Sequence, residues 1–318
     1  MKGGFVMKET AAFKHFDKKW VFLVIGILFV AANLRPSLTA VGPVLGFIRE
    51  DLGLSHSVAG LLSTLPLMAF FVFSPLVPQL SGKFGMERTL FFSLLLLTAG
   101  IFIRSCSSIF TLFLGTFMIG TAIAAGNVLL PGLIKRDFPH QVGLMTGGYS
   151  LSMNTFAALG SGLSVPLTHA LGYGWQGSLM FWALLSLVAL FIWQPQLRHT
   201  TMNHLPTYKN KEKNRLWRSK LAWKVTIFMG FQSFVFYISI NWFPNVFQDR
   251  GMSAEASGWM VSIMQFVGMP ATFIVPILAE RLSSQRLLST IVCLIGIIGY
   301  AGLLMENPDY TIWWVLLI

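Results

Sequence analysis

Serial apolar stretches, each long enough to cross a bilayer, constrain this chain more than any other feature. A helix needs about 20 mostly apolar residues to span a hydrocarbon core of about 30 Å. Such runs are read at residues 21–46, 58–79, 89–105, 109–134, 142–166, 175–194, 222–247, 257–279 and 287–304. A tenth begins at Thr311 and reaches Ile318, and a helix that short rises only about 12 Å. The expected fold class is an all-α polytopic membrane protein with nine full spans and part of a tenth, the chain reading as cut off inside a span. Composition closes the soluble alternative. Charged residues are 11% of the chain, against roughly 25% in a soluble domain, and hydrophobic residues are 54%. A cleaved signal peptide would explain Lys18, Lys19 and the run Val21 to Ala32, but apolar residues resume after Pro36 and complete a span.

The net charge of +11 invites a nucleic-acid reading until the cations are located. With a cytoplasmic N-terminus, 19 of the 23 lysines and arginines fall on the cytoplasmic side, including Lys83, Arg88, Lys135, Arg136, Arg281, Arg286 and the cluster from Arg198 to Lys224. Arg49, Arg104 and Arg250 fall outside, and Arg35 lies within a span. This is the asymmetry that sets membrane topology, so no nucleic-acid partner is expected. The partners expected are a small-molecule solute and the lipid bilayer, with the protein a monomer in a bacterial cytoplasmic (inner) membrane.

The chain repeats itself. Asp51-x-Gly53-x-Ser55 with Gly60 recurs as Asp249-x-Gly251-x-Ser253 with Gly258. Pro78-x-Leu80 with Lys83 and Arg88 recurs as Pro276-x-Leu278 with Arg281 and Arg286, and every pair is 198 residues apart. Six spans separate the copies, so the repeats are parallel. Two parallel six-span halves joined by a hydrophilic loop are the layout of major facilitator transporters, whose solute site lies between the halves near the midplane. The organisation expected is a tail at 1–20, a first half at 21–194, a central cytoplasmic loop at 195–221 and an incomplete second half at 222–318, about 80 residues short of two full periods.

Particular strings carry a family resemblance. Asn33-Leu34-Arg35-Pro36-Ser37-Leu38-Thr39-Ala40-Val41-Gly42-Pro43 resembles the first span of the cyanate/nitroimidazole (CynX/NimT) branch of the major facilitator superfamily. So do Asn127-Val128-Leu129-Leu130-Pro131, Lys135-Arg136-Asp137-Phe138-Pro139, Gly174-Trp175, and Gln232, Tyr237 and Trp242-Phe243-Pro244 in the seventh span. The resemblance implies transport of small solutes such as cyanate or nitroimidazoles. One departure stands out: where the wider superfamily carries an acidic residue after the second span, this chain has Gly82, although Glu280 occupies the matching place in the second half.

Arg35 is the sharpest single residue. An arginine mid-span costs about 2.5–3.5 kcal/mol on insertion scales, so it should face a cavity or a partner. No Asp or Glu lies inside a complete span to pair with it. Pro36 and Pro43 remove the helix bonds to the carbonyls of Ala32 and Thr39, exposing backbone polarity around it. A cation on a broken helix suits an anionic solute; equally, Arg35 could bond helix-end carbonyls or a neighbouring amide as structure alone. Asn33, Asn127, Asn154, Gln232, Tyr237, Asn241 and Gln265 are the other polar residues expected at a central site, each of which could instead be interhelical glue. Arg104 is expected to snorkel to the interface. Trp20, Trp175 and Trp223 read as interfacial anchors, and the glycines from Gly115 to Gly162 as close-packing positions.

Enzyme chemistry finds no foothold. The histidines lie in loops or near span ends, His199 and His204 are not at helical metal spacing, and Cys106 and Cys293 make no metal site. No cofactor or metal is expected, and no phosphate-cradling loop follows a strand. The expected function is therefore secondary-active transport of a small anionic or polar organic solute by alternating access. The alternative is a truncated, transport-inactive remnant of such a transporter.

Overall fold

Two prolines decide the shape of the first span. In this computed structural model, which describes residues 18–199, 218–281, 285–304 and 311–317, helix α1 (Lys18–Asn33) stops just before Arg35. The chain restarts as the single turn α2 (Pro36–Thr39) and then as α3 (Val41–Leu52). Pro36 stands at the first turn of α2, where its missing N–H costs nothing. The described residues continue as α4 (His56–Phe73), α5 (Val77–Phe84), α6 (Met86–Arg104), α7 (Ile109–Asp137), α8 (Val142–Ala170), α9 (Gly174–Trp193), α10 (Lys220–Asp249), α11 (Ala254–Arg281), α12 (Gln285–Leu303) and the short α13 (Thr311–Val315). A 3₁₀ turn at Gln194–His199 follows α9.

Six helical stretches among the described residues are long and apolar enough to cross a membrane, a smaller number than the nine read from the sequence. Helix α8, at 29 residues, has ample length but is diluted by glycine, serine and polar residues, and parts of α11 and α12 lie outside the residues whose side chains are described. Helix α8 packs along α11. Their polarity is used against each other: Ser262 Oγ donates to the Ala158 carbonyl at 2.8 Å and Gln265 Nε2 to Ser161 Oγ at 3.0 Å. A Cβ on Gly162 would lie 3.0 Å from the Trp259 ring. Helices that pack on helices instead of lipid gain from small and hydrogen-bonding residues.

The repeat is visible as geometry. Gly53 ends α3 with φ +61° and Gly251 ends α10 with φ +91°, conformations that favour glycine. Two residues on, Ser55 Oγ accepts from Val58 N–H at 3.3 Å, and Ser253 Oγ accepts from Ala256 N–H at 3.1 Å. Leu54 N–H returns to the Arg49 carbonyl and Met252 N–H to the Phe247 carbonyl, each at 3.0 Å. Every partner is 198 positions from its counterpart. The second copy of the Pro-x-Leu stretch, with Glu280 and Arg286, lies outside the residues whose side chains are described, as do the tail before residue 18 and most of the central loop.

The buried apolar residues form two clusters, one from Leu23 to Trp193 and one from Ile240 to Val315. Among the described residues, close contacts join the two parts toward one end. A Cβ on Gly42 would sit 2.8 Å from the Ile240 carbonyl oxygen, and one on Gly60 3.3 Å from the Trp242 ring. These contacts lie toward the end that bears the Asp51 and Asp249 loops. Toward the opposite end, most of α10 from Leu221 to Val235 is exposed. Trp175, expected at the lipid interface, is instead 3% exposed, and its indole N–H donates to Asp51 at 2.9 Å. The cause is tertiary: α9 packs on the first span, so its opening tryptophan faces a neighbouring helix end. Trp20 and Trp223 are exposed.

Cys106 is exposed in the connection between α6 and α7. With the N-terminus cytoplasmic, as the charge pattern predicts, it faces outward. A membrane-impermeant maleimide should then label Cys106 in intact cells and fail to label a Cys106→Ser variant; labelling only after permeabilisation would invert the topology.

Candidate functional site

The gap between α1 and α2 puts Arg35 outside helical geometry, at φ −123° and ψ −38°, with the N–H groups of Leu38 and Thr39 both donating to its carbonyl. Its side chain leaves the broken span and reaches both halves of the molecule. Nη1 donates to Asn154 Oδ1 on α8 at 2.9 Å, and Cζ stands 4.3 Å from the centroid of the Phe236 ring on α10. A cation over an aromatic face gains about 0.5–1 kcal/mol when exposed and more when desolvated. Of the alternatives open in the sequence, the neighbouring amide is present, yet it takes one of five N–H donors. Among the described residues no carboxylate pairs with Arg35.

The guanidinium borders a cavity of about 480 Å³ between the first half and α10 to α12. Asn154, Gln232, Tyr237 and Gln265 share its wall, together with Phe236, Ser239, Met264 and Tyr300. Ser239 Oγ and Tyr300 OH are 2.6 Å apart and hold two sides of the wall together. The lining mixes apolar surface with a few polar groups and one cation, the usual makeup of a small-molecule site.

Three predicted residues are placed elsewhere. Asn33 is buried and donates to the carbonyls of Phe29 at 2.8 Å and Leu185 at 3.3 Å, tying the first span to α9. Asn127 is exposed on α7 and does not border the cavity. Asn241 is buried, donates to the Tyr237 carbonyl at 2.8 Å, and borders a separate void of about 10 Å³. Gln265 has both of the roles left open for it, since it lines the cavity and bonds Ser161.

Arg104 corrects its expectation. It is 1% exposed and donates through Nη1 to the Ser37 carbonyl at 2.6 Å, inside the broken segment of the first span. Helical side chains lean toward their own N-terminus, so a residue at the end of α6 points back into the bundle. A buried ion pair is also present at the other end of α6. Glu87 lies just outside the apolar run but is buried, and it accepts from Arg136 Nη2 at 2.5 Å while Arg136 Nε donates to Asp137 at 2.7 Å. Phe236, Ser239 and Tyr300 were absent from the sequence reading; Phe236 alone had a visible signal, as the aromatic beside Tyr237. Among the described residues no group of three His, Cys, Asp or Glu side chains could hold a metal ion.

Comparisons with known proteins bear on the family and the fold. A family model described as Major Facilitator Superfamily matches residues 21–318. An uncharacterized transporter of Bacillus subtilis (strain 168), YycB, is 46% identical over 93% of this chain and 74% of its own length. The 2-nitroimidazole transporter of Escherichia coli (strain K12) is 43% identical over 94% of this chain and 76% of its own. The cyanate transport protein CynX of the same strain is 27% identical over 90% and 74%. Among solved structures, an inward-facing, unoccupied bacterial homologue of the human lysosomal transporter Spinster superposes with a TM-score of 0.72 at 15% identity, covering 94% of this chain and 72% of that one.

Among the described residues Asn154 supplies the one hydrogen bond to the Arg35 side chain. Asn154→Leu should destabilise the protein by about 1.5–3 kcal/mol, the worth of a bond to a charged group, read as a lower thermal unfolding midpoint in detergent. An unchanged midpoint would mean that the cation is held by Phe236 and the cavity alone.

Proposed function

The chain belongs to the major facilitator superfamily, and from that premise we propose that it carries a small anion through the cavity beside Arg35. It is an integral membrane protein and a secondary transporter of small solutes, similar to the 2-nitroimidazole and cyanate transporters and not an enzyme. The proposal adds the class of solute, the residues and the mechanism. Arg35 is the anion contact, Asn154 and Phe236 position it, and Gln232, Tyr237 and Gln265 offer hydrogen bonds to the rest of the solute. The halves, 21–194 and 222–318, rock about the contact between the first span and α10, alternately exposing the cavity to each side. Nine spans cross the bacterial inner membrane with the N-terminus in the cytoplasm, and the unit is a monomer.

The observation that carries this reading is a guanidinium with no carboxylate partner among the described residues, on the wall of a roomy cavity between the halves. A cation there is costly unless a ligand of opposite charge completes its shell during transport. The solutes named for two relatives fit the scale: cyanate is a small anion, and a nitroimidazole presents a planar acceptor group to a planar fork. The division of the apolar core into two clusters supports the rocking of two bodies.

Uptake of labelled cyanate and of 2-nitroimidazole by cells making the protein tests this. Arg35→Ala should reduce uptake of the transported solute by about tenfold to a hundredfold, the equivalent of 1.5–3 kcal/mol for a charged hydrogen bond, with membrane abundance near normal. Arg35→Lys should restore part of it, because lysine keeps the charge but lacks the planar bidentate fork. Unchanged uptake in Arg35→Ala would remove Arg35 from the solute site.

A further inference from the structure

Arg104 presents a problem that a structural role does not solve. It is 1% exposed, its Nη1 is used on the Ser37 carbonyl, and its Nε and Nη2 are buried with no hydrogen-bond partner. Holding one carbonyl requires one donor, which a glutamine or a lysine would supply without a guanidinium's bulk of unmet donors. An arginine so placed has two adjacent N–H-bearing sides of its fork free for a planar or linear anion.

The surroundings say when such an anion would arrive. Arg104 borders the void of about 10 Å³ together with Ser37, Ser63 and Thr116 from the first half, and Tyr237 and Asn241 from the second. That volume accepts at most about one water molecule, so a larger anion is excluded in the present conformation. The void is divided between the halves, and it lies where they are pressed together, beside the contact of Gly42 with Ile240 and Asn241. Parting the halves at this end moves Tyr237 and Asn241 away from Arg104 and enlarges the space in front of the free fork. Tyr237 also lines the large cavity that holds Arg35, so one residue borders both spaces.

We infer that Arg104 is a second anion-binding residue of the transport path, engaged in the conformation open toward the Asp51 and Asp249 loops, with Tyr237 dividing its subsite from that of Arg35. A solute entering from that end meets Arg104 first and passes Tyr237 to reach Arg35. The two arginines are tied mechanically as well, since Arg104 holds the Ser37 carbonyl two residues from Arg35. The inference rests on the anion reading of the Arg35 cavity.

The test is the KM for labelled cyanate in right-side-out and inside-out membrane vesicles containing the protein as expressed from its native gene. Arg104→Gln should raise KM about tenfold or more for entry from the side of the Asp51 and Asp249 loops. From the other side KM should stay within about twofold. Arg104→Lys should fall between the two on the affected side. Equal shifts on both sides, or no shift on either, overturn the inference and leave Arg104 as a brace for Ser37. Should Arg104→Gln fail to reach the membrane, Arg104→Lys decides by the same one-sided comparison. Failure of the unsubstituted protein to carry cyanate from either side overturns the anion reading and this inference with it. Transport by the unsubstituted protein with both Arg104 variants unchanged overturns this inference alone.

Discussion

The scarcity of hydrogen-bonding partners inside a bilayer is the constraint on which this structure depends. Backbone groups freed by Pro36 and a guanidinium at Arg35 would both be intolerable facing lipid. The chain turns the two liabilities toward each other and toward a cavity. The interruption lets Arg35 leave the helical path, Asn154 and Phe236 receive its side chain, and Arg104 reaches from α6 to the Ser37 carbonyl in the same segment. Several polar groups of the first span are therefore gathered beside the cavity bordered by Arg35.

Between the halves the described residues pack closely toward the end that bears the Asp51 and Asp249 loops. Gly42 and Gly162 remove the side chains that would hold the halves apart, so backbone meets backbone and ring meets backbone. The close contacts are helix on helix, and they join small residues with serine and glutamine bonds that a neighbour on another helix satisfies. Contacts of this type are additive over short stretches and have no deep apolar interlock, which suits two bodies that separate and rejoin. The core clusters within each half are apolar and continuous by comparison.

The candidate site was partly legible in the residues. Arg35, Asn154, Gln232, Tyr237 and Gln265 were readable as mid-span polar residues, and they share one wall. Asn33, Asn127 and Asn241 satisfied the same criterion and lie elsewhere, because depth in the membrane says nothing about which face of a helix a residue occupies. Arg104 and Trp175 mislead for a related reason. Both are near helix ends, where lipid-facing anchors are common, but side-chain lean in one and a neighbouring helix end in the other turn them inward. Tyr300 carries no distinctive signal in sequence, since aromatic residues are abundant throughout the spans, and Phe236 is marked only by its place beside Tyr237.

The sequence by itself determined the class of the protein: apolar length sets spanning helices, the cation asymmetry predicts their orientation, and a shared offset of 198 residues predicts two related halves. These are properties of one segment at a time or of two segments compared, and they need no knowledge of what packs against what. The tertiary structure alone decided which polar residues converge, that α8 and α11 spend their polarity on each other, and that Tyr237 borders both the Arg35 cavity and the void beside Arg104. Those outcomes depend on the rotation of each helix about its axis. Rotation is set by the close approach of glycines and by interhelical hydrogen bonds, which no single segment encodes.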